Sequence, residues 1–508
     1  MNERTGIAAS RPPAGGHLLS LADPEALLIL RKLFASADYS SDVIRKTLLA
    51  DSAEAAIPYS DVPLLDRNMP RDGLLPTLIR LFLLTMTMDP AVLARELRPL
   101  TPERLESLGL IRLGPQGAEA LVRFNPYHSM VVASDRVHED PTKIPPDHVL
   151  GNNPTSVALA SVTSRRPAKS ALDVGTGCGV LSLLISANCG RVVATDINPR
   201  ALNFTAFNAL LNGVANIECR EGSLFEPVAG EKFDLIISNP PFAVSPDSDY
   251  QFRDSGRPLD TFCGTLVRAL PEHLNEGGYA AVLSNWALRA GEDWSDPARR
   301  WIAGSGCDAI LFHTYTETPL GYAGTWNRPL SAVQPAAYEA AMDRWVEHFQ
   351  RCGVESLAAG GIVLRRRTGD ANWVDTYDVP TARDPNCGEQ IHQMLEARDW
   401  LSGPTAEVDV LQARFRPAED VKLQQDLLVR DGRFIPPEIW ASKTGGFRFR
   451  GQIDQTTWAV ISLCEGGLNV GEIVEKLSRD SNTAIEVVAP KVLELVKRLY
   501  SLVYLVRV

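Results

Sequence analysis

The chain opens on a helical rhythm. Between 24 and 123 apolar residues recur at three- and four-residue spacing, in Leu27-Leu28-Leu30 and again in Leu78-Ile79-Leu81-Phe82, which predicts amphipathic helices and few strands. One stretch breaks the rhythm: 108–113 followed by 120–124 reads as a small hairpin. With it the region is a winged-helix-like module; without it, a plain helical bundle. Residues 125–152, rich in Pro, His, Asp and Asn, read as a linker leading into the next domain.

From 170 to 370 the period changes. Short apolar runs at 170–174, 191–194, 217–220, 234–238, 279–284, 309–313 and 362–366 alternate with helical stretches. That alternation predicts an α/β fold, a doubly wound and mainly parallel sheet with helices on both faces. The last two runs enclose a long insertion, 316–357, with a helix expected over 335–352. Insertions at the ends of such sheets often shape a substrate pocket. Toward the C-terminus a helix over 457–464, a second opened by the Asn469-x-x-Glu472 capping box, a third over 484–500 and a strand over 502–508 give a winged-helix-like order.

These boundaries divide the 508 residues into a mobile tail (1–20), an N-terminal helical or winged-helix-like domain (21–124), an α/β domain (125–370), a connecting segment (371–412) and a C-terminal winged-helix-like domain (413–508). The three domains each fall within the usual range of domain sizes.

Composition narrows the setting. The most apolar run, 74–88, contains Pro76 and Arg80 and falls short of the roughly 20 residues a membrane span needs, so a buried helix and no membrane partner are expected. Eight cysteines lie far apart, with no Cys-x-x-Cys pair and no Cys/His group at zinc-ligand spacing. Reduced thiols, no metal and a cytoplasmic location follow, in keeping with a polar N-terminus that lacks an apolar signal core. A net charge of -11 argues against a broad non-specific nucleic-acid surface, while leaving room for a local basic patch. Arg365-Arg366-Arg367, on the predicted last strand, reads as a solvated edge.

The candidate chemistry lies at two strand ends. Asp173-Val174-Gly175-Thr176-Gly177-Cys178-Gly179 follows the first run, and its glycines let a backbone turn from strand to helix while pressed against a ligand. The glycines alternate instead of taking the Gly-x-Gly-x-x-Gly spacing of a pyrophosphate loop. S-adenosylmethionine, with an amino-acid portion and no pyrophosphate, suits that form. Asp196, at the end of the next run and about 20 residues on, is placed for ribose hydroxyls. Ser223 and Leu224, in Glu221-Gly222-Ser223-Leu224-Phe225, are placed to meet the adenine, Ser223 through its hydroxyl.

Ser238-Asn239-Pro240-Pro241-Phe242 follows the fourth run, at the carboxyl edge where ligands bind in open α/β sheets. A planar NH2 group has a delocalised lone pair, so it must be held by acceptors on its hydrogens. The Asn239 side-chain oxygen and the Pro240 carbonyl offer two. Consecutive prolines stiffen the turn, and Phe242 can stack on a flat amide or base. Methyl transfer then needs chiefly in-line proximity.

On these two motifs the chain resembles the methyltransferase small-domain family, which includes the release factor glutamine methyltransferases and the ribosomal RNA guanine-N2 methyltransferases. The later Phe252-Arg253-Asp254-Ser255-Gly256-Arg257-Pro258-Leu259-Asp260 looks like the Gly-rich segment of the glutamine-modifying branch. The resemblance spans about 145 to 370 and implies a Rossmann-like class I sheet, S-adenosylmethionine as methyl donor, and N-methylation of a macromolecule. The favoured target is a protein glutamine amide; the exocyclic amine of an RNA or DNA base is the alternative. Three features depart from the glutamine enzymes: Phe242 in place of the usual Tyr, the 316–357 insertion, and a second flanking domain.

Overall fold

In the computed structural model, residues 17–49, 57, 59, 61–138, 140–369, 371–379, 384, 387–426, 429–430, 433–434, 438–465 and 467–508 are described. The chain forms two compact units, one of residues 1–160 and 167–377, the other of residues 161–166 and 378–508.

The first unit is built on an eight-stranded sheet. Its strands are β1 (Ala168–Val174), β2 (Cys189–Asp196), β3 (Ile217–Glu221), β4 (Phe233–Ser238), β5 (Leu274–Leu288), β6 (Cys307–Glu317), β7 (Ser356–Arg366) and β8 (Val374–Asp378). They lie in the order β8-β6-β7-β5-β4-β1-β2-β3. From β3 across to β5 all pairings are parallel, and β7 runs antiparallel to both β5 and β6. Every apolar run singled out in the sequence lies inside one of β1 to β7. The reason is burial on both faces: Ala171 and Leu172, Ile236 and Ile237, and Ala280 and Ala281 are neighbours along their strands, and all six are sealed from solvent. Strand order reverses between β1 and β4, which makes their carboxyl ends the place for a ligand.

Helix Pro199–Asn212 links β2 to β3; Asn198 caps its start, Pro199 opens it, and Gly213 ends it in the left-handed conformation. Ahead of the sheet, helix Pro24–Ser36 buries Ala26, Leu27, Leu30, Leu33 and Phe34 on one face, while Leu28, singled out with Leu27 and Leu30, is exposed. The apolar run after Gly73 forms the helix Leu74–Leu78, which passes into a π-helical turn at Ile79–Leu83. Arg80 is tolerated there because Asp66 accepts from its Nε at 2.6 Å and the Arg71 carbonyl accepts from Nη1 at 3.0 Å.

Several expectations are corrected. The hairpin near 110 pairs Ile111–Gly114 with Gly117–Ala120, and the next strand, Val122–Tyr127, turns at His128 to pair with Met130–Asp135. The domain boundary expected at 124/125 therefore falls inside the first strand of a hairpin, whose turn at His128 carries no glycine to betray it. Of the expected mobile tail, 1–16 lies outside the described residues. Residues 17–20 are docked: Leu19 is buried, and its backbone N–H and C=O both bond the Asn203 side chain. The arginine run does not lie on an edge, because β7 sits between β5 and β6. Arg365 and Arg367 both bond the fully buried Asp308.

The second unit contains helices Cys387–Leu401 and Ala406–Gln412, so the segment expected to connect domains carries core, with Ile391, Met394 and Val410 buried. An antiparallel sheet of Val421–Asp426, Glu438–Lys443 and Arg450–Ile453 follows, which the sequence reading did not foresee. Then come helices Gln455–Cys464, Val470–Ser481 and Ile485–Ser501 and the strand Leu505–Arg507, which pairs with Phe415–Pro417. The Asn469/Glu472 capping box forms in both directions, at 2.8 and 2.7 Å. Among the described residues no two cysteines are joined in a disulfide. Among the described residues no helix is long and apolar enough to cross a membrane, and no group of three His, Cys, Asp or Glu stands ready to hold a metal.

Candidate active site

The loop after β1 turns into helix Val180–Ser186. Gly175 and Gly177 stand at φ +74° and +59°, and a Cβ on either would touch nothing within 4 Å. The conformation, not crowding, demands glycine there, and the outer face of the loop is open. Gly179 is different: a Cβ on it would lie 2.8 Å from the Thr205 side chain. Beneath the loop, Asp173 is fully buried, and its Oδ2 accepts from the hydroxyls of Thr176 at 2.9 Å and Ser182 at 2.7 Å. Burial pushes its carboxyl up to about 6, against the pull of those two bonds. Its other oxygen, Oδ1, is buried with no hydrogen-bond partner among the described residues.

Asp196 ends β2. One of its oxygens accepts from Gly177 N at 3.0 Å and the other from Asn198 N at 2.9 Å, while burial raises its pKa. The carboxylate thus steadies the glycine loop from the side and keeps lone pairs for a ligand hydroxyl. Gly222 N donates to the Asp196 carbonyl at 3.0 Å, which draws the turn carrying Ser223 and Leu224 alongside. Leu224 takes φ +50°. Next to Asp196 stands Ile197, 61% exposed, an apolar side chain left uncovered where a flat ring could lie. Sequence reasoning passed over Ile197; its signal was an apolar residue immediately after the acidic strand end.

The second motif is sewn to the first, since Ser238 Oγ donates to the Val174 carbonyl at 2.7 Å. Asn239 follows at the carboxyl end of β4. Its Nδ2 donates to Thr155 Oγ1 at 3.1 Å, and its Oδ1 is buried with no partner among the described residues. An unmet buried acceptor carries a desolvation cost that a ligand N–H would remove. Pro240 is buried behind it and Phe242 is half-buried.

The insertion walls this corner. It is a pair of helices, Pro319–Val333 and Pro335–Arg351, the first of which was not expected. Trp326 meets Phe242 edge to face, with centroids 6.1 Å apart. Tyr322 Oη accepts from Val244 N at 3.0 Å, and Asp247 accepts from Arg344 and from Trp345 Nε1 at 2.7 Å, so both helices are pinned to the loop that follows Asn239. Thr155, Ile197 and Trp326 join the predicted residues at one edge of the sheet.

The strand order, the alternating glycines and the strand-end carboxylate define a Rossmann-like sheet with a ligand edge at the carboxyl ends of β1, β2 and β4. Residues 152–292 match the methyltransferase small domain family, and residues 36–123 and 392–501 each match a domain of unknown function. The release factor glutamine methyltransferase of Geobacter sulfurreducens is 33% identical over 153 residues, 27% of this chain and 54% of that one. That of Cereibacter sphaeroides is 29% identical over 248 residues, 45% of this chain and 82% of that one. Against the first relatives the chain spans about half their length, 54% and 46%. Among solved structures, the ribosomal protein L11 methylase of Lactobacillus delbrueckii subsp. bulgaricus is 20% identical with a TM-score of 0.25, covering 43% of this chain and 81% of that one.

Proposed function

We propose that the first unit is an S-adenosylmethionine-dependent N-methyltransferase acting on the side-chain amide of a protein glutamine. One observation carries the choice of a planar NH2 acceptor: Asn239 Oδ1, a buried oxygen with no partner among the described residues, at the ligand edge of the sheet. A primary amide has two N–H groups to offer, and Asn239 Oδ1 with the Pro240 carbonyl can take both. The likeness to release factor glutamine methyltransferases over the same segment supports the reading.

The donor pocket fits its ligand on the chain's own terms. Asp173 Oδ1, without a partner among the described residues, is an acceptor for an ammonium, the open face at Gly175 and Gly177 admits backbone-close binding, Gly179 starts the helix, and Asp196, each oxygen holding one backbone N–H, keeps lone pairs for ribose hydroxyls. Ser223, Leu224 and Ile197 border the adenine. When bound, S-adenosylmethionine supplies a methyl group on a sulfonium. Asn239 and Pro240 hold the amide plane, Phe242 stacks on it, and the proton released after transfer goes to solvent. Reduced thiols suit a cytoplasmic enzyme.

Incubation with tritiated donor and a purified peptide-chain release factor, followed by peptide mass spectrometry, tests this. The expected result is one methyl on a glutamine side chain. Label that appears only on added RNA or DNA, and leaves with nuclease, would overturn it.

A further inference from the structure

We infer that Thr155, set by Asn153, is a positioning residue that decides which end of the Asn239 amide faces the acceptor; the inference rests on the methyl transfer proposed above. The chain of bonds has a fixed polarity. A backbone N–H can only donate, and Ser156 N lies 2.9 Å from the Asn153 side chain, so the atom it meets is the oxygen Oδ1. Thr155 Oγ1 lies 2.7 Å from that same oxygen, which has no hydrogen to give, so the Thr155 hydroxyl must donate to it. Only lone pairs are then left on Thr155 for Asn239, 3.1 Å away, and the Asn239 atom that faces them must be the NH2.

Asn239 Oδ1 therefore points the other way, where it has no partner among the described residues and is left for an arriving N–H. A flipped amide would set oxygen against the filled Thr155 oxygen and present a donor to a donor. The anchor of the relay is a helix start. Asn153 N donates to Ser156 Oγ at 2.9 Å while Asn153 Oδ1 accepts from Ser156 N, a reciprocal cap on the helix Pro154–Val162. A local capping arrangement thus sets the polarity of a side chain on β4's far side of the sequence, 84 residues on.

The test compares Thr155→Val, which keeps the shape and removes the hydroxyl, Thr155→Ala and Thr155→Ser, using tritiated S-adenosylmethionine and a purified release factor. Both hydroxyl-free variants should lose about 10- to 100-fold in kcat, with the Kd for S-adenosylhomocysteine held within about twofold, and Thr155→Ser should recover nearly all activity. Unchanged kcat in Thr155→Val, equal loss of product affinity, or no rescue by Thr155→Ser overturns the inference. Should the unaltered protein methylate no glutamine, the proposed function fails separately. The positioning role is then judged on the 15N spectrum of the S-adenosylhomocysteine complex: the Asn239 side-chain amide signals shift in Thr155→Val and hold in Thr155→Ser, and signals that hold in both overturn it.

Discussion

Phe242 and Trp326 meet edge to face, with ring centroids 6.1 Å apart and planes at 74°. One ring follows the acceptor motif and the other stands on the inserted helix Pro319–Val333, so the insertion completes a wall that the sheet alone leaves open. Aromatic pairs of this kind contribute about 0.5–1.5 kcal/mol beyond their buried area. Trp326→Ala should therefore raise KM for the glutamine substrate by about three- to tenfold, with product affinity unchanged. Steady-state kinetics beside calorimetry checks it; an equal drop in S-adenosylhomocysteine affinity would place Trp326 in the donor pocket instead.

Asn239 bears on the acceptor and not on the donor. Asn239→Ala should leave donor affinity within about twofold while kcat falls by roughly two orders of magnitude or more. If affinity fell and turnover per bound donor persisted, its role would be wrongly drawn.

Asp196 should behave in the opposite way. Charge-assisted hydrogen bonds contribute about 1.5–3 kcal/mol, so Asp196→Ala should weaken donor binding by about 10- to 100-fold. The side chain also holds Gly177 N, and part of that loss comes through the loop. Titration of S-adenosylhomocysteine measures it, and unaltered binding removes the ribose assignment.

Asp173 predicts a pH dependence. Burial lifts its carboxyl from 3.8 to about 6 in the folded chain, so the ligand-free fold binds the extra proton between those values. Stability should fall as pH rises through that window, by about 1–3 kcal/mol. A cationic donor prefers the ionised carboxylate, so its affinity should climb over the same range and level off above it. Asp173→Asn should flatten both trends. Melting curves and donor titrations from pH 4 to 8 decide; an affinity that is flat in the unaltered protein removes Asp173 from the donor site.

Much of this was legible along the chain because it is local. Strands buried on both faces write themselves as unbroken apolar runs, and Asp173, Gly175, Gly177 and Asp196 keep fixed spacing because one turn, one short helix and one strand separate them. The Asn469/Glu472 box needs only one helix turn, and it forms. The misses share a cause as well. The strands Val421–Asp426 and Arg450–Ile453 bury no residue fully, and only Glu438–Lys443 alternates buried with half-buried positions, a weak signal over short lengths, while the turn at His128 lacks the glycine that marks a hairpin.

By itself, the sequence determined the sheet, the glycine loop and the acceptor turn, since each follows from spacing within a few residues and from the φ values only glycine takes readily. Tertiary structure alone decided which residues far apart in the chain become partners. Thr155 reaches Asn239, Trp326 reaches Phe242, and Asp308 binds Arg365 and Arg367 because the folded sheet brings distant strand ends and helix starts within hydrogen-bond or ring contact. Such contacts leave no periodic trace in the chain, because they depend on where elements pack and not on how each one forms.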